Sequence, residues 1–419
     1  MVNIERLYVF AYLGGVPVPA GLLERTGAAW PPNRRSSRFA YGRRWLDREN
    51  SFALDPLHLP LIEGWQNAPE NAQLHGVFKD AAPDGWGKTL IDKRYPIAQK
   101  GFLEYLAAAG DDRIGSLEFG LSLEEGPRSV VLDDSKNTDI DSDDLTLDDL
   151  LKTADLIEQR EALPARLEGL LRRGSSLGGA RAKSNIREEA QLWIAKFPMR
   201  DDLWDMARSE AACLDMALAA GIETPAHKLI EIDGRAVLLV KRFDRIRQDN
   251  VEHRLAYLSA ETALDVNDDR FHAGKSYEEL SAVGRKMGHV DVGLDVYRRM
   301  LFNVLIHNTD DHLRNHAFLR GLDGKWMLSP VYDLTPHQSE NLVLSVGGRF
   351  EPDLARAKAA YESLGVQQPK AAKAFNDVIT VTTQWKKYMA ERGVIDHDLT
   401  VLGPLMKASD EFKQNDAAV

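Results

Sequence analysis

The stretch Asn308-Thr309-Asp310-Asp311-His312-Leu313-Arg314-Asn315 places two aspartates, two asparagines, an arginine and a histidine in eight positions. It follows Val292–Leu305, where apolar residues recur at the spacing of a helix. Downstream, the apolar run Trp326-Met327-Leu328-Ser329-Pro330-Val331-Tyr332 reads as a strand that ends at Asp333. Taken alone, Asp310 and Asp311 read as helix caps or a solvated turn. The strand-ending Asp333 and an upstream lysine inside an apolar strand, Lys196, shift the balance toward chemistry.

Transfer of a phosphoryl group from ATP needs few parts, because catalysis is mostly positioning and charge neutralisation. A glycine-rich loop must let backbone N–H groups approach phosphate oxygens. A lysine must pair with phosphate, and hard oxygen donors must hold Mg²⁺. Asp310-x-x-x-x-Asn315 has the aspartate-to-asparagine spacing of the protein-kinase catalytic loop, where the aspartate accepts a hydroxyl proton and the asparagine holds a metal. Asp333 suits a second magnesium ligand.

Working outward, Gly174-Ser175-Ser176-Leu177-Gly178-Gly179-Ala180-Arg181-Ala182-Lys183 is a glycine-rich turn. It is not a Walker A loop, since Ala180 occupies the lysine position, and it is not G-x-G-x-x-G. By itself it reads equally as a flexible turn. Then come a strand over Gln191–Phe197 bearing Lys196, and a helix from about Arg208 to Ala220 stopped by Gly221. Strands over Ala226–Ile232 and Arg235–Val240 follow, joined by the two-residue turn Asp233-Gly234. The rest is mainly helical, including Ala371–Met389. Glycine turn, lysine strand, helix, hairpin and helical lobe is the order of a bilobal kinase. The expected fold class is therefore α+β: a protein-kinase-like fold with an N-terminal mixed α/β subdomain and a mainly helical C-terminal lobe.

Residues 1–128 mix short strands with turns. Leu7–Leu13, Arg38–Gly42 and Ser51–Leu54 are strand candidates, and Pro83-Asp84-Gly85-Trp86-Gly87 opens a helix reaching Tyr95. Residues 129–165 form an acidic linker and helix, 166–245 the glycine loop and nucleotide-binding strands, and 246–419 the helical catalytic lobe. The window Asp133–Asp144 lacks the central glycine and terminal glutamate of a calcium loop and reads as solvated surface.

The net charge of -11 argues against a protein whose main business is coating nucleic acid. The single cysteine, Cys213, excludes an internal disulfide framework and points to a reducing cytosol; it lies in an apolar helical run and reads as a buried hydrophobe. No apolar run is long enough to cross a bilayer, and the N-terminus lacks the features of a signal peptide. A cytoplasmic protein with no membrane partner is expected. His312 and His316 have the i, i+4 spacing of zinc ligands on one helix face, but Leu313 replaces the glutamate of H-E-x-x-H. No G-x-S-x-G supports hydrolase chemistry.

In combination these residues resemble the HipA-type serine/threonine kinases of bacterial type II toxin–antitoxin systems. The resemblance is carried by Ser176–Lys183, Lys241-Arg242-Phe243-Asp244-Arg245, Asn308–Asn315 and Tyr332-Asp333. Phe39-Ala40-Tyr41, Trp45-Leu46, Leu57–Leu61 and Pro83–Gly87 extend it into the N-terminal part. It implies ATP and Mg²⁺ as cofactors, with Asp310 catalytic and Asn315 and Asp333 holding magnesium. It implies that Lys196 binds phosphate and that Ser176, Leu177, Gly178, Gly179, Ala180 and Lys183 form the nucleotide loop. Lys241 and Phe243 would contact adenine, and His312 and Tyr332 would line the site. Ser176 would be the autophosphorylated serine, and a phosphate there would repel ATP. Some members carry glutamate where Lys241 stands.

The same resemblance implies a growth-arresting toxin of the persistence type that phosphorylates a translation component, with glutamyl-tRNA synthetase the leading candidate. Its partner would be a HipB-like helix-turn-helix antitoxin, as a dimer, touching DNA only through that partner. Two alternatives stay open: an antitoxin-binding co-repressor with little kinase activity, and a small-molecule kinase of similar architecture.

Overall fold

The computed structural model describes residues 4–27, 35–95, 100–132, 146–164, 167, 171–266 and 274–410. The window Asp133–Asp144 lies outside them. The chain forms two compact units: residues 1–199 with 244–258, and residues 200–243 with 259–419.

The first unit is built on a five-stranded antiparallel sheet. Its strands are β1 (Arg6–Leu13), β2 (Val16–Thr26), β3 (Ser36–Tyr41), β4 (Gln66–Asn67) and β5 (Leu117–Gly120), in the order β4-β3-β2-β1-β5. Gly14 and Gly15 both take positive φ in the tight β1–β2 turn, a region that residues with a Cβ rarely enter. Leu7 and Val9 of β1 and Phe39 of β3 are buried at alternate positions, while all four residues of β5, Phe119 among them, are buried. Ser51–Leu54 forms no strand. The Leu54 N–H donates instead to the Tyr41 hydroxyl, which donates to the Leu59 carbonyl, so a side chain takes the place of a ladder partner. Near one end of the sheet, Glu104 accepts from both Arg25 and the Ile4 N–H in a buried ion pair. Helix Gly85–Arg94 begins where Pro83–Gly87 predicts. The unit also holds the hairpin Lys183–Glu188 with Gln191–Lys196, and the returning hairpin Arg245–Gln248 with Val251–Arg254.

That returning segment is anchored by buried charge. The Asp244 carboxylate accepts from the Gly115 N–H (2.7 Å) and from Arg245 (2.6 Å). Arg245 in turn donates to the Gly115 and Arg113 carbonyls. A buried ion pair is tolerated when its remaining polar atoms also find partners, and here backbone groups supply them.

The second unit pairs a small hairpin with helices. Strands His227–Ile232 and Arg235–Lys241 are joined at Asp233-Gly234, both at positive φ as the primed turn demands. Helix Met206–Ala219 packs Ala207 and Ala211 on Ala236, Leu238 and Val240. Helix Val292–Leu305 is buried on most sides. Ala371–Met389 is two helices, Gln368–Thr382 and Trp385–Glu391. At the break, Thr382, Thr383 and Gln384 side chains bond to preceding carbonyls and compete with the helix ladder. The strand expected over Trp326–Tyr332 is shorter, Trp326–Leu328, paired with Ala317–Arg320. Pro330 has no N–H to give a ladder, and the Val331 N–H donates to the Glu223 carbonyl instead. Among the described residues no helix is long and apolar enough to cross a membrane.

Candidate active site

The loop after helix Val292–Leu305 leaves the helix through His307, at φ +56. It is then strapped to a later segment: the His337 N–H donates to the His307 carbonyl (2.9 Å) and the Val343 N–H to the Thr309 carbonyl (3.1 Å). Asn308, Thr309 and Asp311 are buried, while Asp310 between them is exposed. Its carboxylate takes no hydrogen bond or ion pair from any described residue. A rigid backbone thus carries one outward, uncommitted carboxylate.

Leu313–Asn315 is a single 3-10 turn, so His312 and His316 do not share a helix face. His316 points inward, its Nε2 2.9 Å from Asp311 Oδ2. His312 is half-buried and its Nδ1 has no hydrogen-bond partner among the described residues. Among the described residues, no cluster of three or more metal-ligating His, Cys, Asp or Glu side chains occurs. The Asn315 amide nitrogen donates back to the Asp310 carbonyl (3.4 Å), which leaves Oδ1 as an oxygen donor facing away from that bond.

Asp333 occupies the left-handed region at φ +60, a conformation that costs a residue with a Cβ. The preceding Tyr332 donates its hydroxyl to the Arg314 carbonyl (2.6 Å), tying this segment to the Asp310–Asn315 turn. The Tyr332 ring faces Phe243, with centroids 5.4 Å apart and planes 30° from parallel. Arg314 pairs with the buried Glu261 (2.5 Å). The second unit thus brings Asp310, His312, Asn315, Tyr332, Asp333 and Phe243 onto three linked segments. Lys241 ends the adjoining strand, its N–H bonded to the Ala226 carbonyl. Asn315 Oδ1 and the Asp333 carboxylate are the hard oxygen donors Mg²⁺ prefers, so the residues present fit that ion.

The first unit holds the glycine loop. Lys183 and Lys196 are register partners across their hairpin, two cations on one face. A Cβ added to Gly179, which sits at φ +86, would stand 2.7 Å from Lys183 Nζ. Like charges directly opposed across a ladder are mutually unfavourable. Gly178, Gly179 and Ala180 are exposed, whereas Ser175, Ser176 and Leu177 are buried. The Ser176 hydroxyl donates to the Asp112 carbonyl (3.1 Å) and accepts from the Asn185 amide (3.2 Å).

Two features went unread in the sequence. One is the grip of residues 84–87 on this loop. The Trp86 N–H donates to the Gly179 carbonyl (2.8 Å), the Trp86 indole to the Lys183 carbonyl (2.9 Å), and the Gly179 N–H to Asp84. Glycines flanking a tryptophan were the available signal of close backbone approach. The other is a buried network around Asp311, whose Oδ2 accepts from Tyr277, Asn303 and His316. Burial alone would push the Asp311 carboxyl up; the His316 charge and the His316 and Tyr277 hydrogen bonds outweigh it and hold the carboxyl below its ordinary value. The Tyr277 phenol is held well above its ordinary range by burial and by the Asp311 charge. Only adjacency to Asp310 marked this residue in the sequence.

Residues 175–385 match the HipA-like C-terminal domain, and residues 18–120 match the HipA N-terminal domain. A Sinorhizobium fredii protein named "Putative kinase Y4mE" is 24% identical over 374 residues, covering 83% of this chain and 85% of the relative. A Haemophilus influenzae protein named "Putative kinase" is 24% identical over 141 residues, 30% of this chain and 40% of the relative. The fold is that of Shewanella oneidensis HipA, solved with HipB and operator DNA, with a TM-score of 0.64 at 17% identity over 96% of this chain and 95% of that one. The architecture is accordingly α+β and kinase-like, and the chain belongs to the HipA family.

Proposed function

We propose that this chain is an ATP-dependent, HipA-type protein serine/threonine kinase. The observation that carries the reading is the joining of Asp310, Asn315 and Asp333: Asn315 turns back on the Asp310 backbone, and Tyr332 ties Asp333's segment to the same turn. Bound ATP with Mg²⁺ would supply the transferable phosphoryl group and the cation that neutralises its charge. Asp310 would orient the attacking hydroxyl and accept its proton. Asn315 and Asp333 would hold the metal. Lys196, with Lys183 and the backbone of Ser176–Ala180, would bind phosphate. Phe243 and Tyr332 offer apolar ring faces for a base, and Lys241 the hinge backbone beside them, with His312 lining the site.

The finer reading is a toxin of a type II module. It phosphorylates a translation component, glutamyl-tRNA synthetase first among candidates, and silences itself by phosphorylation at Ser176. The Shewanella relative's complex with HipB and operator DNA supports a HipB-like helix-turn-helix antitoxin as partner, and we infer that this antitoxin acts as a dimer. DNA contact would pass through that antitoxin.

The test is transfer of labelled γ-phosphate with magnesium to the chain itself and to purified glutamyl-tRNA synthetase. Asp310→Gln and Asp333→Ala should each abolish it, and the label on the chain should map to Ser176. Transfer retained in both variants would remove the assignment of the site. Label on Ser175 or elsewhere would remove the role of Ser176 alone.

A further inference from the structure

The exposed Asp310 is held between two buried neighbours, and the way they are held is unusual for a surface loop. Asn303, near the end of helix Val292–Leu305, bonds on both sides of it. Its backbone carbonyl accepts from the Asn308 N–H (2.8 Å) and its Oδ1 from the Asn308 amide (3.1 Å). Its own amide donates to Asp311 Oδ2 (2.8 Å). The same Oδ2 takes the hydroxyl of Tyr277 (2.6 Å), the first residue of helix Tyr277–Lys286, and faces His316 Nε2 (2.9 Å). Asp311, Tyr277, Asn303 and His316 are all nearly inaccessible to water, at 3%, 0%, 1% and 2%.

A carboxylate withdrawn from water is costly unless donors surround it, and removing them leaves an uncompensated buried charge. An apolar residue could fill the same space without that risk. What the carboxylate adds is direction, because three donors from three segments converge on one oxygen and fix where the loop backbone runs. Misplacement of a catalytic group by about 1 Å can cost on the order of a hundredfold in rate.

We propose that Asp311 is the positioning residue of the catalytic loop, its gripped carboxylate setting the backbone from which Asp310 projects. The inference rests on the reading of Asp310 as the catalytic base. It assigns no contact with substrate to Asp311 itself.

The experiment compares wild type, Asp311→Asn, Tyr277→Phe and Asp310→Ala in the full chain. Asp311→Asn keeps the shape but turns an amide toward donors. Measured per nucleotide-binding site, its kcat should fall at least 30-fold while KM for ATP stays within threefold. Tyr277→Phe, which removes one of three donors and leaves the rest, should give a smaller fall in kcat alone. Hydrogen exchange should show faster backbone amides at 308–312 in Asp311→Asn, with helix Val292–Leu305 unchanged. A kcat within threefold of wild type overturns the proposal, since a merely structural role would lower the folded fraction and not turnover per folded molecule. Unaltered exchange at 308–312 also overturns it, because any loss of rate would then have a cause other than positioning. The exchange readout needs no activity, so it decides the role of Asp311 even if the function reading fails. That failure would show separately, as transfer retained in Asp310→Ala or absent in wild type.

Discussion

Replacing Asp333 by alanine and by glycine should reverse the usual order of stability for those two residues. In ordinary backbone, alanine is the more stable of the pair, because glycine gives up more conformational freedom on folding, about 0.5–1 kcal/mol. Asp333 sits at φ +60, where a Cβ crowds the following carbonyl at a cost of roughly 1–2 kcal/mol. Aspartate bears that cost better than alanine because its short polar side chain can bond locally. Asp333→Ala keeps the Cβ and loses the polar group, while Asp333→Gly loses both. Taking the two effects together, the glycine variant should be the more stable by about 1 kcal/mol, a difference of roughly 2–4 °C in Tm for a domain of this size. Both variants lack the carboxylate proposed to hold magnesium, so both should lose phosphoryl transfer equally, by about a hundredfold or more. Thermal and urea unfolding would be measured beside transfer of labelled phosphate. An alanine variant as stable as the glycine one would show that the left-handed backbone is no constraint. Unequal loss of activity would show that something besides the missing carboxylate is being read.

Three further outcomes are expected. A Cβ at Gly87 would stand 2.4 Å from the Leu177 carbonyl oxygen and 2.9 Å from that of Ser175, both backbone atoms; Gly87→Ala should lower the urea midpoint by an amount equivalent to about 1–3 kcal/mol. Burial pulls the His75 imidazole down from 6.5 to about 4. Protons then bind the unfolded chain preferentially, so stability is full above pH 6.5 and falls as pH drops toward 4, by roughly 2 kcal/mol at pH 5; urea midpoints between pH 7 and 5 should fall less steeply in His75→Gln. Burial pushes the Cys213 thiol far up and leaves it 0% exposed; thiol titration of the native protein should find no reactive group, and titration in denaturant should find one.

Much of the order of elements was legible because it is written in local signals. Gly14-Gly15, Asp233-Gly234 and Gly221 all take the positive φ that their turns and caps require. Helix Val292–Leu305 follows its periodicity to both ends. The misreadings have a common cause. Ser51–Leu54, Trp326–Tyr332 and Ala371–Met389 were each decided by hydrogen bonds to distant or side-chain partners, which no local pattern contains. Within the candidate site the exposed Asp310 and the buried Asn315 were recognisable by type and spacing. The residues that hold them, Tyr277, Asn303 and Glu261, lie up to tens of positions away and look in sequence like ordinary members of helices.

The contact between residues 84–87 and the glycine loop bears on how this chain can vary. Gly85 and Gly87 lie where any Cβ would meet the backbone of Gly179, Leu177 or Ser175. Side chains can be traded one for another, but main chain against main chain leaves no such slack. Drift in the glycine loop is therefore answerable to a segment some ninety residues earlier, and the two should be inherited as a matched pair. A graft of one relative's loop into another would be expected to take only when its tryptophan turn travels with it.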